Sequence, residues 1–393
     1  MPNEVYIVSA TRTPIGSFGG TLKNIKPVDL GIHVTKEAVK RSGVDPQSIG
    51  SNVVGHVIRT EVKDAYISRR IALGGGLPVH TQSLTLNRLC GSGLEAITFA
   101  TQQLQLGEVG VAVAGGAESM SLAAHLLTTN RWGQPMGDSK VYDELTGALT
   151  DPFGVGHMGI TAENLSEKYD ISREQQDEFA LQSQQRAVNA IEQGYFKEQI
   201  TPYEIKTRKG SVVFDTDEHP RADTSIDGLA KLRTVFKEGG TVTAGNASGI
   251  NDGASMVVLA SEDQVKQQGL TPMVRVVSYG RCGVANEIMG IGPVGASTIA
   301  LERAGLSVAD MDVIESNEAF AAQAMSVAKE LGLPDDKTNP NGGAIALGHP
   351  IGGSGAIILT KLIYELKRTG GRYGLVTLCI GGGQGIAMVL ESV

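Results

Sequence analysis

GSGLEAITFATQQLQLGEVGVAVAGG, residues 91–116, and GSGAIILTKLIYELKRTGGRYGLVTLCIGG, residues 353–382, run through the same order of elements. Each opens on a glycine turn, continues as an apolar helix, breaks, and ends in an apolar strand that meets a double glycine. The first helix is expected over 94–106, and VGVAVAGG (109–116) reads as a buried strand. Repetition of a whole unit predicts a duplicated α/β architecture. Under that duplication Cys90 and His349 stand just before equivalent helices. Cys379 closes the strand equivalent to the one ending near Gly115. The two halves then present their turns to one shared cleft.

Outward from these stretches, VYIVSA (5–10) is a further strand, and strands alternate with amphipathic helices through the first part. That alternation predicts a mostly parallel sheet covered by helices. From Met120 to Ile250 the texture changes to glycine-rich, polar loops around Trp132, the single tryptophan. Ser172 with Gln175 three residues on predicts a capped helix, and Gly194 predicts its stop. Its polar composition suits a solvent-facing layer. TRKGSVVFDTDEHPR (207–221) reads as a hairpin or extended excursion with a basic entrance and exit. The whole segment reads as an inserted, lid-like subdomain, with VTAGNASGINDGASMVVLA (242–260) returning the chain to the first domain.

At 393 residues there is ample chain for two or three domains, and 41% hydrophobic with 19% charged residues are globular values. A formal net charge of −8 argues against nucleic acid or an anionic membrane surface as the main partner. It leaves room for one anionic metabolite on a local basic patch. Three separated cysteines without a CxxC pair make neither a disulfide framework nor a zinc site. The N-terminal run is too short and too acidic for a signal peptide, and Lys361 and Glu365 interrupt the longest late apolar run. A soluble cytoplasmic protein is the expectation.

Cys90 precedes Gly91-Ser92-Gly93 and an apolar helix. A helix N-terminus offers unpaired N–H groups and partial positive charge, which suit a thiolate and an oxyanion alike. His349, whose backbone Pro350 holds extended, is the candidate general base for Cys90. Cys379 ends a strand at Gly381-Gly382-Gly383. A thiol there can exchange a proton with carbon. Asn317, in ESNEAFAAQ, offers an amide to a water or an oxyanion, or else caps a helix. Cys282 reads as structural. Gly91-Ser92-Gly93-Leu94-Glu95-Ala96 with Glu118 downstream also matches a dinucleotide fingerprint, a reading that leaves both cysteines and His349 without a role.

Taken in order, NRLCGSG (87–93), AGGAESMS (114–121), GNASGINDGA (245–254), NEAFAAQ (317–323), GGAIALGHPIGGSG (342–355) and CIGGGQG (379–385) resemble a thiolase over essentially the whole chain. The resemblance implies two similar βαβαβαββ domains in a layered α-β-α-β-α core, with a loop domain inserted in the first. Boundaries follow at 1–119 plus 251–270, 120–250, and 271–393. It implies that Cys90 is the acyl-accepting nucleophile, His349 its base and Cys379 the second acid/base. Asn317, through a water and with His349, would form one oxyanion hole. The backbone N–H groups of Cys90 and Gly381 would form the other.

The resemblance further implies acyl transfer between CoA thioesters, two acetyl-CoA giving acetoacetyl-CoA and CoA, with longer 3-ketoacyl substrates open. No cofactor is then expected, CoA being a substrate. Arg221 resembles the residue near the adenine and phosphate end of CoA, and Ser248 one contacting the pantetheine arm. Leu149, His157, Met158, Phe236, Ala244, Met289, Ala319 and Phe320 resemble the wall around pantetheine and acyl group. Gly228 departs from the serine of many biosynthetic thiolases, so no hydrogen bond is carried onto it. A homo-oligomer follows, a tetramer before a dimer, with its contact expected in the 120–145 loop. The rivals are a decarboxylating ketoacyl synthase, against which Cys379 argues, and a CoA- or dinucleotide-binding protein without covalent chemistry.

Overall fold

The computed structural model describes residues 3–207 and 210–393. The first half runs β1 (Val5–Arg12), α1 (Pro27–Ser42), β2 (Ile49–Gly55), α2 (Ile67–Gly74), β3 (Gln82–Leu86), α3 (Ser92–Gln105) and β4 (Val111–Ser119). An excursion then carries α4 (Met158–Tyr169) and α5 (Arg173–Glu192) before β5 (Asn251–Ser261) re-enters the sheet. The second half follows as β6 (Val274–Gly283), α6 (Gly292–Ala304), β7 (Val313–Ser316), α7 (Ala321–Leu331), α8 (Ile351–Thr369), β8 (Tyr373–Ile380) and β9 (Gln384–Ser392).

Strand order exposes the duplication. The first half lies β3-β2-β4-β5-β1 and the second β7-β8-β9-β6. Where the first half has β3, the second has a single bridge from Thr338 to Ile314 of β7. The leading strands β1 and β6 meet edge to edge, Tyr6 opposite Arg275 and Ile7 opposite Val274, which joins the halves into one sheet.

The sheet is mixed, against the expectation of a mostly parallel one. Only β2–β3, β2–β4 and β7–β8 pair in parallel, while β5 and β9 run antiparallel to both their neighbours. For β9 the reason is connection length. Three glycines link β8 to β9, and a parallel return needs a crossover of a dozen residues or more. Gly382 and Gly383 take φ of +80° and +89°, so the run that reads as a ligand-facing turn is also a hairpin.

Helices α3 and α8 pack against each other between the strands of the two halves. Leu94, Ile97 and Leu104 of α3 meet Leu359 and Leu362 of α8 in one core that also takes Val53, Ala114, Val376 and Met388 from the strands. Each such leucine contributes about 1.5–3 kcal/mol by burial. On the outer faces, α1 and α2 cover Val113 and Val258, and α6 covers Leu375 and Val389. The central crossing depends on glycine. A Cβ on Gly355 would lie 2.4 Å from the Leu94 nitrogen, and one on Gly93 2.8 Å from the Ala356 nitrogen. Close approach thus brings the N-termini of α3 and α8 together, and with them Cys90 and His349.

α8 is buried from Ile351 to Leu366. Its Lys361 spends its charge internally, on Glu315 Oε2 at 2.9 Å and the Gly342 carbonyl at 2.7 Å.

The excursion packs onto the core. Ser172 and Gln175 form the reciprocal cap of α5, and Gly194 follows its end at φ +74°. α5 is not the solvent-facing layer its composition suggests. Gln176, Asp177, Ser183 and Gln184 are buried. Each finds a partner on another segment, Thr241, Asn246, Glu318 and the Arg221 N–H respectively. Polar composition here encodes docking by hydrogen bonds. Arg12 of β1 holds Asp217 of the excursion in a fully buried bidentate pair at 2.7 and 2.9 Å. The hairpin falls at Tyr203–Thr207 and Gly210–Phe214, earlier than expected, and Arg208 and Lys209 of its basic entrance lie outside the described residues. Trp132, Met136 and Val141 of the 120–145 loop are exposed, and no described helix is long and apolar enough to cross a membrane.

Candidate active site

The loop from β3 into α3 is wound tightly around Ser92. Its Oγ accepts the Arg88 N–H at 2.8 Å and donates to the Leu89 carbonyl at 2.7 Å. Leu89 is thereby held at φ +46°, a left-handed conformation that a side-chain-bearing residue adopts at a cost of about 1–3 kcal/mol. The strain falls one residue before Cys90. It turns that cysteine out of the strand direction and into the wall of a cavity of about 520 Å³.

The equivalent serine of the second half does the equivalent work. Ser354 Oγ donates to the Pro350 carbonyl at 2.8 Å and lies 2.6 Å from His349 Nδ1. With its own proton committed to Pro350, Ser354 receives one from the imidazole. That fixes the proton on Nδ1 and leaves Nε2 with its lone pair. Among the described residues Nε2 has no partner, and His349 lines the same cavity as Cys90. Burial lowers the His349 pKa to about 4, so the ring is neutral at physiological pH. The geometry is that of a base awaiting a proton. Ser354→Ala is expected to lower kcat about 10-fold, the worth of one hydrogen bond to a titrating group, with KM little changed. Ser354→Thr, which restores the hydroxyl, is expected to recover most of it. Equal loss in both variants would assign Ser354 to packing.

Cys90 sits half-buried at the mouth of α3. Burial raises its pKa to about 11, while the N–H groups of Gly381 and of Cys90 itself lower it. Those N–H groups face the sulfur, where a tetrahedral oxyanion would form. Cys379, at the end of β8, is fully buried and packs with Met158, Met289 and Phe320. Burial raises its pKa strongly, and a charge on Cys90 raises it further. The two thiols are thus near neighbours that do not ionise together. Cys379 lies outside the cavity lining, whereas Gly381 is in it.

Asn317 is 2% exposed, and neither its amide oxygen nor its amide nitrogen has a partner among the described residues. Leaving both groups unpaired costs about 1–3 kcal/mol each. A protein that keeps such an amide beside its cavity is holding it for a water or a ligand. Asn317 itself does not line the cavity, but Ala319 and Phe320, two and three residues on, do.

The other expected residues gather on the same walls. Met158, Met289, Phe236 and Phe320 form an apolar cluster with Ala319, and the Phe236 ring stacks on His157 at 4.6 Å. His157 Nδ1 accepts the Gly159 N–H, which leaves the proton on Nε2 to donate. Leu149, Ala244 and Ser248 complete the lining, and Arg221 stands exposed at the rim. Cys282 is outside, donating to the Gly292 carbonyl at 3.1 Å, as a structural thiol does.

Sequence reasoning missed Ser17, Phe18 and His219, which also line the cavity. His219 stands two residues before Arg221, and that proximity in sequence was the available signal. The dinucleotide reading fails. Gly93 is consumed by the helix crossing, and Glu118 is fully buried, accepting backbone N–H groups rather than awaiting a ribose.

Comparison with known proteins agrees with this geometry. The model of the thiolase N-terminal domain matches residues 5–263, and that of the thiolase C-terminal domain residues 270–392. The chain is 56% identical over 394 residues to β-ketothiolase BktB of Cupriavidus necator, covering 100% of both. It superposes on the crystal structure of the Bacillus anthracis acetyl-CoA acetyltransferase with a TM-score of 0.97 at 48% identity, over 100% of this chain and 99% of that one. Human mitochondrial 3-ketoacyl-CoA thiolase in complex with CoA gives a TM-score of 0.97 at 46% identity, over 100% and 98%. From the duplicated α/β halves to the paired turns that carry Cys90 and His349, this chain belongs to the thiolase family.

Proposed function

We propose that the protein is a β-ketothiolase of the acetyl-CoA C-acetyltransferase type, working through an acyl group on Cys90. One observation carries the reading: Cys90 and the unpartnered Nε2 of His349 share a single apolar cavity, with two backbone N–H groups aimed at the sulfur.

In the thiolysis direction, His349 Nε2 takes the Cys90 proton as sulfur attacks the 3-keto carbon. The oxyanion falls to the N–H groups of Cys90 and Gly381. Collapse breaks the C2–C3 bond and leaves the acyl group on Cys90. The electron pair becomes the enolate of acetyl-CoA, steadied by protonated His349 and by Asn317 through a water. Cys379 gives its proton to C2, and acetyl-CoA departs. An incoming CoA thiol then loses its proton to the Cys379 thiolate and attacks the acyl-enzyme. Cys90 leaves and takes back the proton held by His349. Both catalytic groups end as they began, and condensation is the reverse sequence.

Arg221 at the rim suits the phosphates of CoA, with Ser248 and the His157 Nε2 proton along the pantetheine arm. Met158 and Met289 give the acyl end an adaptable wall, which suits acyl chains beyond acetyl. We place the contact between copies in a homo-oligomer, a tetramer, on the exposed apolar 120–145 loop. A single-chain mass in sedimentation removes that assignment.

The direct test is intact-mass analysis after mixing with acetyl-CoA, followed by peptide mapping. An acetyl group on Cys90 that free CoA removes establishes the covalent half-reaction. A folded protein that acquires no adduct on Cys90 or Cys379 overturns it.

A further inference from the structure

Behind the Cys90 wall lies a buried carboxylate with no part in the steps above. Glu118, at the end of β4, is fully buried. It accepts the backbone N–H groups of Val57 at 3.1 Å, Ile58 at 3.2 Å and Gly352 at 2.9 Å. Val57 and Ile58 pack with Ile351 against Cys90. Gly352 is the second residue of α8, three after His349, and its N–H is one of those a helix start leaves unpaired. One carboxylate therefore ties the Cys90 wall to the seat of His349.

The surroundings have been cleared for it. A Cβ on Gly352 would lie 2.5 Å from Glu118 Oε2, and one on Gly116 would lie 2.0 Å from the Gly352 carbonyl. A histidine meets it on the other side. His56 Nδ1 is 3.2 Å from Glu118 Oε1 and 3.0 Å from the Ala117 carbonyl, and its Nε2 is 3.8 Å from Asp64. Burial opposes charge on His56, but Glu118, then Ala117 and Asp64, hold its pKa above the ordinary value.

We propose that Glu118 and His56 form a positioning pair for the reaction: the Glu118 charge acts on Cys90 and, through Gly352, fixes the seat of His349, while His56 balances that charge. The proposal rests on Cys90 as nucleophile. Its chemical consequence is a Cys90 that rests as a thiol and gives up its proton only to His349, as the substrate carbonyl arrives to take the charge. A resting thiol is spared oxidation and stray alkylation, which follow thiolate character. The Glu118 charge adds to burial in raising the Cys90 pKa.

The charged and titratable groups around the pair are few. Cys90 faces His349 and Cys379. Arg88 and Arg281 both engage Glu95 in an ion cluster beside it. Asp64 and Arg70 stand beyond His56, 3.5 Å apart. Asp252, opposite Ser119 on β5, is occupied with Ser121 at 2.6 Å.

The test uses Glu118→Gln and His56→Gln in the full-length protein. Iodoacetamide alkylation of Cys90, mapped by mass, is followed against pH, beside kcat and KM. Loss of the negative charge in Glu118→Gln is expected to speed alkylation at neutral pH about 5-fold, a modest Coulomb effect. Glu118 keeps its three N–H donors when His56 is removed and loses only the partner that balances it, so His56→Gln is expected to slow alkylation by a similar factor. Both should lower kcat more than they change KM. Shifts of opposite sign support the pair, because loosening of the fold moves both variants the same way. Shifts of one sign, or none, overturn it. Should Glu118→Gln fail to fold, His56→Gln decides alone, slower alkylation supporting and unchanged alkylation overturning. Alkylation reads the thiol whether or not acetyl-CoA acylates it, so failure here is distinct from failure of the thiolase reading.

Discussion

Cys90→Ser is expected to lower acyl transfer by roughly 10⁴-fold or more, the scale on which loss of an enzyme nucleophile is felt. The substitution is nearly isosteric, and the turn held by Ser92 and Leu89 does not depend on the Cys90 side chain. What changes is acidity and nucleophilicity. Even the thiol is held at a pKa of about 11 by burial, so His349 must remove the proton as attack proceeds. A serine hydroxyl, far less acidic, asks more of a base whose own pKa is about 4. The low value also fixes the acid limb of the wild-type profile. Above roughly pH 5 His349 is neutral and able to accept, and acylation falls as pH drops through about 4 and Nε2 is protonated. Stopped-flow measurement of CoA release on mixing with acetyl-CoA, with intact mass at the end point, checks both statements. Acylation of Cys90→Ser within 10-fold of wild type would place the nucleophile elsewhere.

Much of this site is legible in the sequence because its chemistry sits on glycine-marked element ends. NRLCGSG and GHPIGGSG place Cys90 and His349 before equivalent helices, and the fold brings those helix starts together through Gly93 and Gly355. The illegible parts depend on what the chain meets elsewhere. The three-residue link between β8 and β9 forces an antiparallel return, which alternating elements do not reveal, and β5 takes its direction where it re-enters the sheet after the long excursion. α5 looks solvent-facing because periodicity registers hydrophobicity, and its buried face mixes small alanines with polar side chains that bond to Glu318, Thr241 and Asn246. Leucine at φ +46° carries no compositional mark at all. Glu118 draws notice in sequence only through a dinucleotide pattern. Its value comes from three N–H groups contributed by segments 60 and 234 residues away or thereabouts.

Cys379→Ala is expected to separate the two halves of the reaction. Exchange of acetyl groups between acetyl-CoA and labelled CoA should stay within about 10-fold of wild type, while thiolysis and condensation fall by roughly 10²–10⁴, the usual worth of a positioned acid or base. Sulfur and carbon differ in what they ask of a proton carrier. A CoA thiolate is a competent leaving group, and in exchange no proton goes to carbon, so His349 can hand its proton to departing CoA and take one from incoming CoA without Cys379. The C2–H of acetyl-CoA is a weak acid, and its enolate must be protonated or formed where Asn317 and His349 steady it. Met158, Met289 and Phe320 pack around Cys379 and surround its sulfur with apolar groups. Burial and the neighbouring Cys90 both raise the Cys379 pKa, so it holds its proton until a carbanion demands it, and its thiolate is then basic enough to deprotonate the next CoA. Removing one buried sulfur leaves only a small void, so the fold should survive. Isotope exchange and acetoacetyl-CoA cleavage, measured on one preparation, give the ratio directly. If cleavage persists at wild-type speed, His349 carries both protons and the second thiol is packing. If exchange and cleavage fall together, Cys379 serves the acylation of Cys90 rather than the carbon step.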